Sequence, residues 1–119
     1  MSKEIKAGSA AATFHHPDYK HNCAQAIAYK WRRLYADPDT VVAQMQACGG
    51  GRAEGGLCGA LHAALQIVPA ERRDKFMADF AARAGSLTCA EIKRAAKTPC
   101  PRCVAIADEL LEACIGAPQ

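Results

Sequence analysis

The sequence predicts an all-α fold, a compact helical bundle of about four main helices with one or two short ones. Alanine makes up much of the hydrophobic half of the composition, while aromatic residues contribute only 6% and runs of β-branched residues are nearly absent. This composition favours helices over strands. Apolar residues also recur at helical spacing along several stretches. The 119 residues are enough for one domain with a hydrophobic core.

The domain organisation follows from where this periodicity begins. Residues 1–20 show no strong periodicity, and we expect them to form a mobile N-terminal arm. Residues 21–116 are expected to form a single helical, cysteine-rich redox domain.

The first two predicted helices have recognisable starts. Asn22 can cap a helix that places Cys23 in its first turn, on an apolar stripe. Asp37-Pro38-Asp39 then combines a capping acid, a proline at the first helical position and a second acid near the positive end of the helix. The second helix is expected to end at Gly49–Gly51, directly after Cys48.

The third predicted helix follows the glycine-rich loop. It extends from about Leu57 to Val68, places Cys58 near its start and is apolar nearly all round, which predicts a central position. Gly56 and Gly59 lie close to Cys58 and would let another segment approach its sulfur. A fourth helix is predicted over residues 70–84, ending at Gly85.

The last two helices also begin near cysteines. Thr88-Cys89-Ala90-Glu91 has capping-box spacing, which predicts Thr88 as the N-cap of a short helix and Cys89 as its first residue. The final helix is expected to begin within residues 98–103 and to carry Cys100 and Cys103 on its apolar stripe.

The cysteines carry the functional prediction. No stretch approaches the ~18 apolar residues of a membrane span and no signal core is present, so we expect a cytoplasmic protein without membrane association. Thiols in that compartment more often bind metals or catalyse redox reactions than form structural disulfides, and seven cysteines cannot all pair. Helix starts favour thiolate, which binds metal. We predict that the four helix-start cysteines hold a metal centre, most readily an iron–sulfur cluster or zinc: Cys23, Cys58, Cys89 and Cys100.

Two alternatives remain open. Cys100-Pro101-Arg102-Cys103 is a C-x-x-C pair at a helix start, so Cys100 with Cys103, or Cys23 with Cys89, could act as a thiol–disulfide oxidoreductase without a cofactor. A non-catalytic zinc- or copper(I)-binding helical module is the other alternative. Within the metal hypothesis, Cys103 could substitute for Cys100 as a ligand.

The other candidate residues have simpler expected roles. Cys48 and Cys114 lie at the far ends of apolar stripes and are expected to be small buried hydrophobes. His21 and His62 lie near Cys23 and Cys58, and if functional they would donate protons or replace a ligand. Arg52 and Glu54, in the middle of the glycine-rich loop, would control the polarity of the environment beside Cys58.

Several function classes are excluded or disfavoured. The basic residues are scattered along the chain rather than gathered on a stripe, which disfavours nucleic-acid binding. The glycine loop lacks the Gly-Lys-Ser/Thr ending of a phosphate loop, and Val104 after the C-x-x-C pair excludes c-type haem attachment at that motif. We expect a redox partner protein of undefined identity, and an alanine-rich surface compatible with a homodimer.

From about Asn22 to Leu111 the sequence resembles the small redox-active proteins named for a C_GCAxxG_C_C pattern. The matching residues are Asn22-Cys23-Ala24-Gln25-Ala26, the Gly49–Gly51 loop with Cys58-Gly59-Ala60, Phe80 to Ile92, and Cys100 with Val104 and Ala107. The resemblance implies that Cys23, Cys58, Cys89 and Cys100 are the motif cysteines. The central box departs from the pattern at Ala63, where the family name has its last glycine. The family is similar to the iron–sulfur portion of split-Soret cytochromes, which implies a cluster used in electron transfer or redox sensing.

Overall fold

The computed structural model describes residues 21–48, 54–98 and 100–115, without the side chains of Glu54 and Cys100. The described residues form an all-α fold with no β-strand, as predicted. The helices are α1 (Cys23–Lys30), α2 (Val41–Gln44), α3 (Gly59–Leu65), α4 (Arg73–Ala84), α5 (Cys89–Glu91) and α6 (Cys100–Ile115). Short 3₁₀ turns cover Arg32–Leu34, Met45–Cys48, Glu54–Gly56 and Ala70–Arg72, and a π-helical turn covers Ile92–Ala96. None of the helices in these ranges is long and apolar enough to cross a membrane.

The start of α1 is fixed by a capping box. The side chain of Asn22 accepts a hydrogen bond from the Gln25 backbone N–H at 2.8 Å, and the Gln25 side chain accepts one from the Asn22 backbone N–H at 3.1 Å. The Asn22 amide also donates to the Gln46 carbonyl at 2.8 Å. The predicted cap is therefore confirmed, and the same residue ties the first helix to the turn that ends in Cys48.

Two predicted helices are shorter than expected. The Asp37 carbonyl accepts hydrogen bonds from both Thr40 and Val41, which makes residues 37–40 a turn, so α2 begins at Val41 rather than at Pro38. The third helix begins at Gly59, and Cys58 is its N-cap. It ends at Leu65 because the following N–H groups bond three residues back, as in a 3₁₀ turn.

The core is built by close contact between α1, α3 and α6, with α4 packed on α6. Trp31, Phe80 and Leu61 are among the largest fully buried side chains. Much of the remaining contact surface consists of fully buried alanines, whose short side chains let helix backbones approach one another: Ala24, Ala26, Ala28, Ala60, Ala63 and Ala64. The central position predicted for α3 is confirmed, because most of its side chains are buried.

A buried carboxylate joins the end of α1 to the middle of α6. Asp108 is only 4% exposed. It accepts a hydrogen bond from the Trp31 indole N–H at 2.9 Å and pairs with Lys30 at 2.9 Å. Burial lowers the pKa of Lys30, but its hydrogen bonds to Glu112 and Asp108 outweigh that effect and raise it overall. This clamp holds α1 and α6 side by side.

We expect Asp108→Ala to lower the free energy of unfolding by about 3 kcal/mol, because it leaves the buried Trp31 N–H without its partner and the largely buried Lys30 charge with only Glu112. Urea unfolding with an unchanged slope measures this loss. The matched control is Glu109→Ala, which removes the adjacent, exposed carboxylate that pairs with Arg83 on the surface and should cost less than about 1 kcal/mol. Equal losses in the two variants would contradict a clamp at Asp108.

Candidate functional site

Four cysteines from four different helices line one narrow cleft. Cys23 is the first residue of α1, Cys58 caps α3, Cys89 is the first residue of α5, and Cys103 lies in the first turn of α6. The complete lining is Cys23, Cys58, Gly59, Cys89, Ile92, Lys93, Thr98 and Cys103. The cleft has a volume of about 10 Å³, roughly the space of one water molecule. The starts of these helices therefore meet at one end of the bundle.

Close approach between α1 and α3 depends on Gly59. A Cβ atom at this position would lie 2.6 Å from the Cys23 sulfur and 2.7 Å from the Cys48 carbonyl oxygen. Both distances are far shorter than van der Waals contact, so a side chain here would push the two segments apart. Gly56 has a different role, since nothing lies within 4 Å of its Cβ position but its φ is +74°.

Backbone pairing brings the Cys58 and Cys89 segments together. The Cys58 backbone N–H donates to the Leu87 carbonyl at 2.9 Å. Leu57 forms an isolated antiparallel bridge with Thr88. Thr88 is the predicted N-cap of the short helix, and its hydroxyl accepts the Glu91 N–H at 3.2 Å. Leu57, which precedes Cys58, is thus paired with Thr88, which precedes Cys89.

The Cys58 thiol is buried, with a cysteine neighbour on each side. Its sulfur is within hydrogen-bond range of Cys103 and Cys23, and these contacts, together with burial, set its pKa. The Cys103 contact is the largest influence and raises the pKa, the Cys23 contact lowers it, burial raises it, and the net pKa is about 12. Our expectation that a helix start makes this thiol more acidic is therefore wrong, because neighbouring sulfurs and burial outweigh the helix end.

Residues 88–98, which we call the covering segment, form one wall of the cleft. Ile92 is its one buried side chain, at 2% exposure, and Lys93 and Thr98 line the cleft beside it. The Thr98 hydroxyl donates to the Ala84 carbonyl at 2.8 Å, at the end of α4. Gly85, with φ of +104°, lies against Ala96, whose Cβ would be 2.2 Å from a Cβ added at this glycine. The segment is therefore anchored at its ends and by Ile92.

The predicted site residues divide into three groups. Cys23, Cys58 and Cys89 lie on the cleft, together with Cys103, which we had considered only as a substitute ligand or a member of a thiol pair. The side chain of Cys100 lies outside the described residues, although its backbone begins α6. The remaining candidates within the described ranges do not line the cleft: Cys48, Cys114, His21 and His62. Arg52 and the Glu54 side chain, predicted to crest the loop, are not described.

Sequence reasoning missed Lys93 and Thr98. Lys93 follows Cys89 by four residues, a spacing that places two side chains on the same face of a helix, and this signal was available. Thr98 carried no comparable signal. Its position depends on the hydrogen bond to Ala84, a contact between segments distant in the chain.

The described sulfurs are not arranged for a single metal ion as they stand. Within residues 21–48, 54–98 and 100–115, no group of three or more His, Cys, Asp or Glu side chains has a geometry that could hold one. None of the six cysteines whose side chains are described forms a disulfide. The arrangement is a compact group of reduced thiols beneath a covering segment.

The fold and the cleft define a class of small all-α proteins that gather cysteines from several helix starts. A family model described as "Putative redox-active protein (C_GCAxxG_C_C)" matches residues 21–114. The chain belongs to this family, which confirms the resemblance noted in its sequence and supports a redox-active protein. No curated protein and no solved structure matches the chain.

Proposed function

We propose that the protein transfers electrons or senses redox state through an iron–sulfur cluster held by the cysteines of the cleft. The observation that carries this proposal is the convergence of Cys23, Cys58, Cys89 and Cys103, one from each of four helices. Thiolate sulfurs are the usual ligands of such clusters, which supply one-electron chemistry. Cys100, one helical turn before Cys103, is the alternative fourth ligand.

The donor set fits the cluster chemically, but the cleft must open to hold it. A volume of about 10 Å³ leaves no room for a cluster, so the covering segment would move outward. Ile92 is the one buried side chain of the segment itself, and exposing it costs about 2 kcal/mol. Thiolate–metal sites contribute on the order of 10 kcal/mol. The balance therefore favours an open, loaded form when iron and sulfide are present.

Purification without air tests the proposal. We expect a brown protein with visible absorption and with iron and acid-labile sulfide in fixed ratio to the chain. Hydrogen exchange at residues 88–98 should increase when the cluster is loaded, since the covering segment has moved. A colourless protein that takes up neither iron nor sulfide on reconstitution would contradict the proposal.

Thiol–disulfide exchange is the second candidate, favoured by the contacts of Cys58 with Cys103 and Cys23. Oxidation of two of these thiols forms one disulfide and releases two electrons and two protons, which a disulfide substrate takes up as it is cleaved to two thiols. We expect Cys58–Cys103 or Cys58–Cys23 to pair more readily than the Cys23–Cys89 pair predicted from sequence. Alkylation mapping after mild oxidation identifies the pair, and a chain with no reversible disulfide counts against this candidate.

The third candidate is zinc or copper(I) binding without turnover. It differs from the iron–sulfur and thiol–disulfide candidates in the metal that the purified protein would contain. Elemental analysis of the same anaerobic sample separates zinc or copper from iron. A cytoplasmic location is part of the proposal, because reduced thiols are maintained there.

A further inference from the structure

The net charge of the chain is concentrated beside the cysteine cleft. The stretch from Thr88 to Cys103 contains four of the 15 Lys and Arg residues and one of the 12 Asp and Glu residues. This stretch therefore accounts for the whole net charge of +3, and the rest of the chain is balanced. The other 11 Lys and Arg residues are distributed over the rest of the chain, where 11 Asp and Glu residues balance them.

The four basic side chains form what we call the basic patch: Lys93, Arg94, Lys97 and Arg102. All are exposed. Lys93 lines the cleft, and the other three are direct chain neighbours of the lining residues Lys93, Thr98 and Cys103. Consecutive Cα atoms lie about 3.8 Å apart, so each patch residue lies within one residue of the cleft lining.

Three of the four patch cations lack an ion-pair partner among the described residues. Elsewhere Lys30, Lys75 and Arg83 each pair with a carboxylate. Within the patch, Arg94 pairs with Glu91, while Lys93, Lys97 and Arg102 form no ion pair with any residue that the structure describes. Three charges are therefore available to a partner. Two small exposed residues, Ala95 and Ala96, lie between them and would let a partner surface come close.

The closed cleft restricts how electrons reach the sulfurs. Its volume of about 10 Å³ admits nothing much larger than water. In this closed form a reductant larger than water does not reach the sulfurs. Whether the covering segment stays in place or moves outward to admit a centre, a partner on its outer face lies next to the route that electrons take. A protein that carries its own cofactor to that face fits this requirement better than a small molecule.

We infer that the basic patch is the docking surface for an acidic one-electron carrier protein, of the flavodoxin or ferredoxin class, that exchanges electrons with the centre beneath it. The inference rests on the proposed function, because a docked carrier exchanges electrons only with a redox centre in the cleft. One electron leaves the reduced cofactor of the partner, which is oxidised by one electron, and the cysteine-held centre gains it. Opposite charges would steer the two proteins together and orient the partner over Ile92 and Lys93.

The test measures binding of purified flavodoxin, an acidic protein, to the full chain isolated without air. Lys93→Gln/Lys97→Gln removes two patch charges. The matched control Arg73→Gln/Lys75→Gln removes two exposed charges from α4. At low salt we expect the patch variant to bind at least tenfold more weakly than the unmodified chain and the control variant to bind within twofold of it. Affinity of the unmodified chain should fall as salt rises.

Each outcome bears on one hypothesis at a time. Equal weakening by both double variants would mean general charge attraction and would overturn the docking surface, as would undetectable binding or equal binding by all three proteins. The binding readout does not require a centre. A protein that lacks iron and sulfide but shows the patch-specific loss contradicts the proposed function alone, while a loaded protein without that loss contradicts the docking surface alone.

Discussion

We expect Cys58→Ala to abolish the redox centre, with iron and sulfide per chain falling to less than a tenth of the unmodified level. The Cys58 thiol interacts with two other cysteines of the cleft, Cys103 and Cys23. Its removal leaves three cysteines on the cleft, Cys23, Cys89 and Cys103, because alanine supplies no donor atom. In the thiol–disulfide alternative the same change removes the sulfur shared by both favoured pairs. Either way, this single substitution has the largest expected functional effect.

The fold should survive this substitution. Removing one small buried side chain costs about 1 kcal/mol, so helical content should be unchanged and the urea midpoint only slightly lower. The matched control is Cys114→Ala. Cys114 also lies on α6 and contacts Arg72, but it is eleven residues after Cys103, or roughly 16 Å along the helix. If Cys58→Ala retains a full complement of iron and sulfide, Cys58 is not a ligand.

The second large effect is expected from Gly59→Ala, which should lower the free energy of unfolding by about 2 kcal/mol and reduce the content of the centre. The added Cβ would collide with the Cys23 sulfur at 2.6 Å and with the Cys48 carbonyl at 2.7 Å. Because one neighbour is the backbone of the Met45–Cys48 turn and the other is the Cys23 side chain of α1, α3 must shift away from both segments. Overpacking costs about 1–3 kcal/mol, and the better helix propensity of alanine offsets less than about 1 kcal/mol of it.

Urea unfolding and iron and sulfide analysis measure the two effects together. Gly56→Ala is the control, since it also replaces a glycine near Cys58 but meets open space. It should lose only about 1 kcal/mol, from the strain of a positive φ, and keep its centre. A Gly59→Ala protein as stable as the unmodified chain would show that α1 and α3 do not meet as tightly as the contact with Cys23 implies.

The helix starts were predicted well because capping is a local property. The side chains of Asn22 and Thr88 each accept a hydrogen bond from the backbone N–H three residues later in the chain, so each cap involves residues within one helical turn. Gly85 ends α4 with a positive φ, which is also a local requirement. The start of α2 was misplaced because Asp37 bonds two N–H groups in a turn, and the same residues are compatible with either arrangement.

The candidate site could be predicted only in part. Position at a helix start selected Cys23, Cys58 and Cys89, which share the cleft, and Cys100, whose side chain lies outside the described residues. It left Cys103 as a substitute, because the packing of α6 against α1 and α3 that brings Cys103 to the cleft joins distant segments. The acidity expected of Cys58 was wrong for a related reason, since its neighbours come from other helices.

The sequence by itself determined the all-α class, most helix starts and three of the four cysteines that line the cleft, because composition, capping and periodicity act over a few residues. Tertiary structure decided what these cysteines contact, the clamp at Asp108 and the position of Lys93 over the cleft. These features join segments tens of residues apart. Their geometry depends on how closely alanine- and glycine-lined helices pack, which no local pattern encodes.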